Sequence, residues 1–234
     1  MLVIGHRGAA GLAPENTIEA LRAGVKAGAD MLEFDIRLTK DNIPVLVHDF
    51  HTLRTHRQTS IISRSTLHEL QERTADKDTI LTLKQVLDEF FGTIILNIEL
   101  KGRGVGKIAS QLIADSYIKN SDDWDNVLFS SFKGSELYAV RRVSGDANLA
   151  VLQNQNPFIF IAYVRPLRIS AVGFHRLYLN PFALEIAKRA ELFTYAYTVN
   201  RPHAAYLLAK QGIDGVVTDH PDRILLEINK KRTN

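Results

Sequence analysis

Met31-Leu32-Glu33-Phe34-Asp35-Ile36-Arg37-Leu38 alternates apolar and charged residues from Leu32 to its end. Successive side chains of an extended strand point to opposite sides, so Leu32, Phe34, Ile36 and Leu38 share one face and Glu33, Asp35 and Arg37 the other. Taken alone, the stretch reads equally well as an antiparallel strand with a solvated charged face. The pattern recurs at Leu96-Asn97-Ile98-Glu99-Leu100-Lys101. Two further apolar runs also end in polar pairs, Leu2-Val3-Ile4-Gly5 before His6-Arg7 and Val45-Leu46-Val47 before His48-Asp49.

Outward from these stretches, strand-like runs near 2–6, 31–38, 94–99, 126–130, 147–152, 169–174, 193–198 and 214–218 alternate with helical patterns. The helical patterns lie near 16–28, 83–91, 104–118, 134–143, 157–166, 181–191, 201–211 and 221–231. Eight strands, each followed by a helix, predict an α/β fold of the closed parallel (β/α)8 TIM-barrel type. An open doubly wound sheet is the rival, and polar strand ends dispersed over the whole chain favour closure. We expect one domain over residues 1–234, with a small rim insertion at about 49–82 that holds a short helical piece near 65–73. Asn16 is expected to cap the first helix, with Glu19 completing a capping box, and Pro221 to open the last one behind Asp219 or His220.

The bulk composition narrows the function classes. A 234-residue chain with 45% hydrophobic and 24% charged residues can bury a sizeable core as an ordinary globular protein. Basic and acidic residues nearly balance, 29 against 26, and no basic run is interleaved with aromatics, which argues against a nucleic-acid partner. The absence of cysteine excludes disulfides and thiolate metal sites and suits a reducing cytoplasm. No secretion signal is visible at the N-terminus, and no apolar stretch approaches the ~20 residues that span a bilayer. A cytoplasmic protein with no stable membrane insertion is expected, and the sequence carries no signal for an oligomeric state.

In a barrel, one strand face packs on helices and the other points inward, so polar strand ends line the C-terminal mouth. Glu33, Asp35 and Glu99 gathered there need a counter-charge, and an all-oxygen set points to one hard divalent ion, Mg2+ or Ca2+. His6 and His48 each follow an apolar run and reach the same mouth, where a pair of imidazoles can serve as general acid and general base. Arg7 and Lys101 suit a phosphate, and they also suit neutralisation of the carboxylates. Tyr197 lies near enough to a strand end to line a pocket. Ser130 and Ser131 lack a nucleophile setting, and Gly102-Arg103-Gly104-Val105-Gly106 lacks the spacing of a phosphate loop. Phe158-Ile159-Phe160-Ile161 reads as buried helix in preference to an apolar lip, and His51, His56, His68 and His203 read as structural.

Together, His6-Arg7-Gly8, Pro14-Glu15-Asn16-Thr17, Glu33-x-Asp35, Val47-His48-Asp49, Glu99-x-Lys101, Thr198-Val199-Asn200 and Gly215-Val216-Val217-Thr218-Asp219-His220-Pro221 resemble the glycerophosphodiester phosphodiesterase family. The resemblance spans the first strand to the last helix. It implies a TIM barrel and metal-dependent hydrolysis of a small glycerophosphodiester to sn-glycerol 3-phosphate and an alcohol. By position it makes His6 and His48 the acid–base pair, Glu33, Asp35 and Glu99 the metal ligands, and Arg7 and Lys101 the phosphate anchors. Either water or the glycerol 2-hydroxyl would attack phosphorus. Tyr197 stands where the family often has tryptophan, and Arg54-Thr55-His56 lacks the glycines that commonly follow, so the pocket wall and rim differ from the family pattern.

Overall fold

Met31, Glu33 and Asp35 share the inward side of the strand β2 (Met31–Leu38), while Leu32, Phe34 and Ile36 pack outward under helices. The structure is a computed structural model and describes residues 1–57, 59–74 and 79–232. β1 (Leu2–Gly5) pairs with both β2 and β9 (Gly215–Thr218), which closes the sheet. The barrel is completed by β4 (Ile95–Leu100), β5 (Val127–Ser131), β6 (Asn148–Gln153), β7 (Ala171–His175) and β8 (Phe193–Tyr197), all parallel. These eight strands are the eight expected, each within two residues of its expected bounds. A short antiparallel strand, β3 (Pro44–Leu46), hydrogen-bonds to β2 outside the barrel; it falls on the apolar run before His48 and is not one of the eight.

The helices between the strands are α1 (Ile18–Lys26), α4 (Leu83–Phe90), α5 (Val105–Ser116), α6 (Gly134–Val143), α7 (Ile161–Leu167), α8 (Pro181–Arg189), α9 (Pro202–Lys210) and α10 (Pro221–Arg232). Between β3 and α4 lie α2 (Leu53–His56), a 3-10 turn and α3 (Leu67–Thr74), built on a small cluster of Val45, Val47, Ile62, Leu70 and Ile80. Gln58 and residues 75–78 of the expected insertion lie outside the described residues. The 157–166 helix starts only at Ile161, because Asn156 turns the preceding segment by accepting the Phe158 N–H at 2.9 Å.

Two apolar layers hold the barrel. One lies between strands and helices; the other fills the barrel's lower interior with Ile4, Met31, Leu128, Ala150, Leu152, Ala171, Tyr195 and Val217. Above that interior plug, the inward positions turn polar at Glu33, Asn97 and Ser130. The change from apolar to polar along one face of each strand is what sets a site on the C-terminal rim.

The α1 start corrects one expectation. Thr17, not Asn16, is the cap, accepting the Ala20 N–H at 3.2 Å, and Asn16 sits at φ 58° with its side chain turned elsewhere. The loop before it runs against α1 at Gly8, where φ is 89° and a Cβ would meet the Ala20 carbonyl carbon at 2.5 Å. Glycine suits that place on both counts. Among the described residues, no helix is long and apolar enough to cross a membrane.

Candidate active site

Glu33 and Asp35 leave β2 on its inward face, and Glu99 leaves β4 level with Asp35 in the strand register. One carboxylate oxygen from each comes within 4.8 Å of the other two. Glu33 and Asp35 are buried, and Glu33 Oε1 has no hydrogen-bond partner. Burial and the Asp35 charge push Glu33 up to about 7 and Glu99 up to about 8. Asp35 is held below the usual carboxylate range: burial opposes its charge, but Lys101 and Arg7 outweigh that. Lys101 Nζ lies 3.2 Å from Asp35 and 2.6 Å from Glu99, and Arg7 Nε lies 3.3 Å from Asp35. Three carboxylates sharing two cations, with one buried oxygen left over, fit a hard cation bound through oxygen.

The two histidines flank this cluster in matching fashion. His6 Nδ1 donates to Asp219 Oδ1 at 2.5 Å, leaving Nε2 4.0 Å from Glu33. His48 Nδ1 donates to Asp49 Oδ1 at 2.8 Å. A carboxylate on Nδ1 fixes the tautomer and frees Nε2 for proton transfer. Burial pulls His6 down, but the Asp219 bond and the Glu33 charge raise it above its ordinary value. His48 lies below its ordinary value, chiefly through burial, with Lys101 and Arg7 adding to the shift.

All the residues singled out in the sequence for the site meet at this mouth, joined by several it had not assigned there. Asn16 takes both sides of Asp35: its Nδ2 donates to Asp35 Oδ2 at 3.1 Å and its Oδ1 accepts the Asp35 N–H at 3.2 Å. The last helix starts at Pro221 directly behind His220, and Asp219, the other candidate for its cap, is the partner of His6 and accepts from Asn200 Nδ2. A chain of ion pairs then joins the two histidine sides. Arg7 donates to Glu15 at 2.7 Å, Arg54 donates twice to Glu15 at 2.7 and 2.6 Å, and Arg54 Nε donates to Asp49 at 2.7 Å. Burial opposes the Asp49 charge, but the bonds from His48 and Arg54 hold it down at about 2.

Tyr197 lines the cavity below the carboxylates together with His6, Asn97 and Ser130, and its hydroxyl donates to the Gln153 carbonyl. Its ring packs edge-on against Phe132 and His175, with centroids at 6.0 and 5.8 Å. The Gly102–Gly106 segment is no phosphate cradle: the Glu136 carboxylate accepts the Gly104 and Gly106 N–H groups at 3.1 and 2.9 Å. Phe158–Ile161 is mixed, since Phe160 is fully buried while Ile159 and Ile161 are exposed.

The chain is similar to known proteins along nearly its whole length. Residues 6–223 match the model of the glycerophosphoryl diester phosphodiesterase family. YhdW of Bacillus subtilis, which bears the provisional designation of glycerophosphodiester phosphodiesterase, is 33% identical over 96% of this chain and 97% of its own. The glycerophosphodiester phosphodiesterase of Caldanaerobacter subterraneus is 29% identical over 98% of each chain. Among solved structures, an Oleispira antarctica phosphodiesterase in complex with the product sn-glycerol-3-phosphate superposes with a TM-score of 0.86 at 26% identity, covering 98% of this chain and 97% of that one.

Proposed function

This chain belongs to the glycerophosphoryl diester phosphodiesterase family and is a phosphoric diester hydrolase, and on that premise we propose how its mouth performs the reaction. The substrate is a deacylated phospholipid head group in the cytoplasm, cleaved to sn-glycerol 3-phosphate and an alcohol. Glu33, Asp35 and Glu99 hold one divalent ion, Mg2+ or Ca2+. When bound, that ion supplies Lewis-acid stabilisation of phosphoryl charge. Arg7 and Lys101, released in part from the carboxylates, anchor the phosphate oxygens. His6 and His48 then act as the acid–base pair through Nε2: one takes a proton from the attacking oxygen of water or the glycerol 2-hydroxyl, and the other gives a proton to the leaving alkoxide. Asp219 and Asp49 keep the two rings in the working tautomer. Tyr197 forms the pocket wall for the glycerol or the alcohol, and the 49–82 segment belongs to the same domain as its rim.

The observation that carries this reading is the meeting of three strand-end carboxylates, within 4.8 Å of each other, between two histidines that each bind a carboxylate through Nδ1. The test is to incubate the purified protein with glycerophosphocholine, glycerophosphoethanolamine and lysophosphatidylcholine, first with chelator and then with Mg2+ or Ca2+. Metal-dependent release of glycerol 3-phosphate is expected, with a loss of about a hundredfold or more in His6→Ala. No turnover of any diester with metal supplied would contradict it.

A further inference from the structure

Large apolar side chains stand in water around the barrel mouth. Phe132 after β5, Ile159 after β6, and Leu177, Tyr178 and Phe182 after β7 are 42–68% exposed, and Phe50 on the opposite rim is 60% exposed. Ring contacts tie this rim to the site. Phe132 packs on Tyr197 and lies 5.9 Å under Lys101 Nζ, Tyr197 packs on His175, and His175 lies 5.3 Å from Tyr178. Phe182 packs on Phe158 at 6.2 Å, joining the loops after β6 and β7. Exposed apolar area gathered at one place marks an interaction surface.

The charges on this side of the mouth have one sign. The loops that follow β4, β5, β6, β7 and β8 (101–104, 132–133, 154–160, 176–180 and 198–201) contain no Asp or Glu, and they carry Arg103, Lys133 and Arg201 exposed. On the other rim, Glu15 and Asp49 are held by Arg7 and Arg54 and Asp219 by His6, while Asp41, Glu69 and Glu72 stand exposed around the insertion, so the cationic side is the one after β4 to β8. The opposite end of the barrel differs: Asp30, Asp122, Asp125, Asp146 and Glu191 are exposed in its loops. The side of the mouth after β4 to β8 is thus cationic and apolar, whereas the exposed acids of the base loops outnumber the exposed Lys119 and Arg168.

We propose that the barrel mouth docks on an anionic lipid surface, with Phe132, Ile159, Leu177 and Phe182 entering the head-group layer and Arg103 and Lys133 meeting lipid phosphates. The apolar residues project from separate loops with cations between them, a pattern that an anionic bilayer accepts without a fixed register. Docked this way, the carboxylate cluster faces the head-group layer. The docking rests on the surface alone and not on the proposed reaction.

The test uses the full chain in flotation with vesicles of phosphatidylcholine alone and of phosphatidylcholine mixed with phosphatidylglycerol. Partition at least about tenfold higher on the anionic vesicles is expected, declining with added salt as the charges are screened. Leu177→Ser with Phe182→Ser, and separately Arg103→Glu with Lys133→Glu, should each lower that partition about tenfold. Thermal melts and turnover of free glycerophosphocholine should stay at wild-type level in both double variants. Equal partition on the two vesicle types, no binding to either, or wild-type binding by the variants would overturn the proposal. So would capture by polyglutamate without vesicle binding, which assigns the face to an acidic polypeptide, or a dimer that Phe182→Ser dissolves and that never binds vesicles. Vesicle binding with no turnover of glycerophosphocholine would fault the proposed reaction and leave the docking standing.

Discussion

At the scale of single residues, the site depends on groups that touch its working side chains. Asp219 fixes the His6 tautomer from the end of β9, and Asn16 brackets Asp35 from the loop before α1. Asp219→Asn should retain the hydrogen bond in a reversed sense and hold the wrong tautomer. Steady-state kinetics should then show kcat lowered by about a thousandfold or more, with KM little changed; an unchanged kcat would deny His6 its proton-transfer role. Asn16→Ala should weaken metal binding by roughly tenfold to a hundredfold, as loss of a ligand's supporting bond does, and calorimetric titration reads it directly. Asp219 was legible in principle. Gly215, Val217 and Asp219 alternate in step with Ile4 and His6, so the strand parity that found Glu33 also aims Asp219 inward. The following Pro221 made a helix cap the simpler reading. Asn16 was not legible, because its role depends on a φ of 58° that a residue pattern does not reveal.

At the scale of elements, β2 and β4 were legible by alternation, and the other barrel strands as short apolar runs set between helical patterns. β3 was legible only as the apolar run before His48, since three residues are too few to show a period or a pairing. The ion-pair chain through Arg54 escaped, since it links a rim helix to the β1 loop across 39 residues of sequence. Arg54→Ala should raise KM and lower kcat moderately, roughly tenfold in kcat/KM, by freeing Asp49 and Glu15 from their shared partner; wild-type kinetics would show the chain to be ornamental. Gly8→Ala tests the loop that delivers His6 and Arg7. Its left-handed backbone and the close approach of α1 should cost about 1–3 kcal/mol, a fall of roughly 3–10 °C in Tm by calorimetry, and an unchanged Tm would refute the tight contact.

For the whole molecule, closure of the barrel is what makes distant sequence segments one site, and polar strand ends spread along the chain were the readable sign of it. The carboxylates so gathered tie stability to pH. Without metal, Glu33 and Glu99 keep protons up to about 7 and about 8, whereas the unfolded chain releases them near 4.5. The native state therefore binds more protons across that window, and its stability falls as pH rises through it. Asp35, held low, loses its own contribution only in acid below the window. A divalent ion bound by these carboxylates would take over from those protons, so the Tm increase on adding Mg2+ or Ca2+ should be larger at about pH 8 than at about pH 6. An equal increase at both would break the link between metal and carboxylates. The most direct test of the central claim is equilibrium metal titration of the chelator-treated protein beside Glu99→Gln. One divalent ion per chain is predicted for the wild type, with affinity lost in Glu99→Gln together with glycerophosphodiester turnover. Full turnover in excess chelator, or undiminished metal binding by Glu99→Gln, would contradict it.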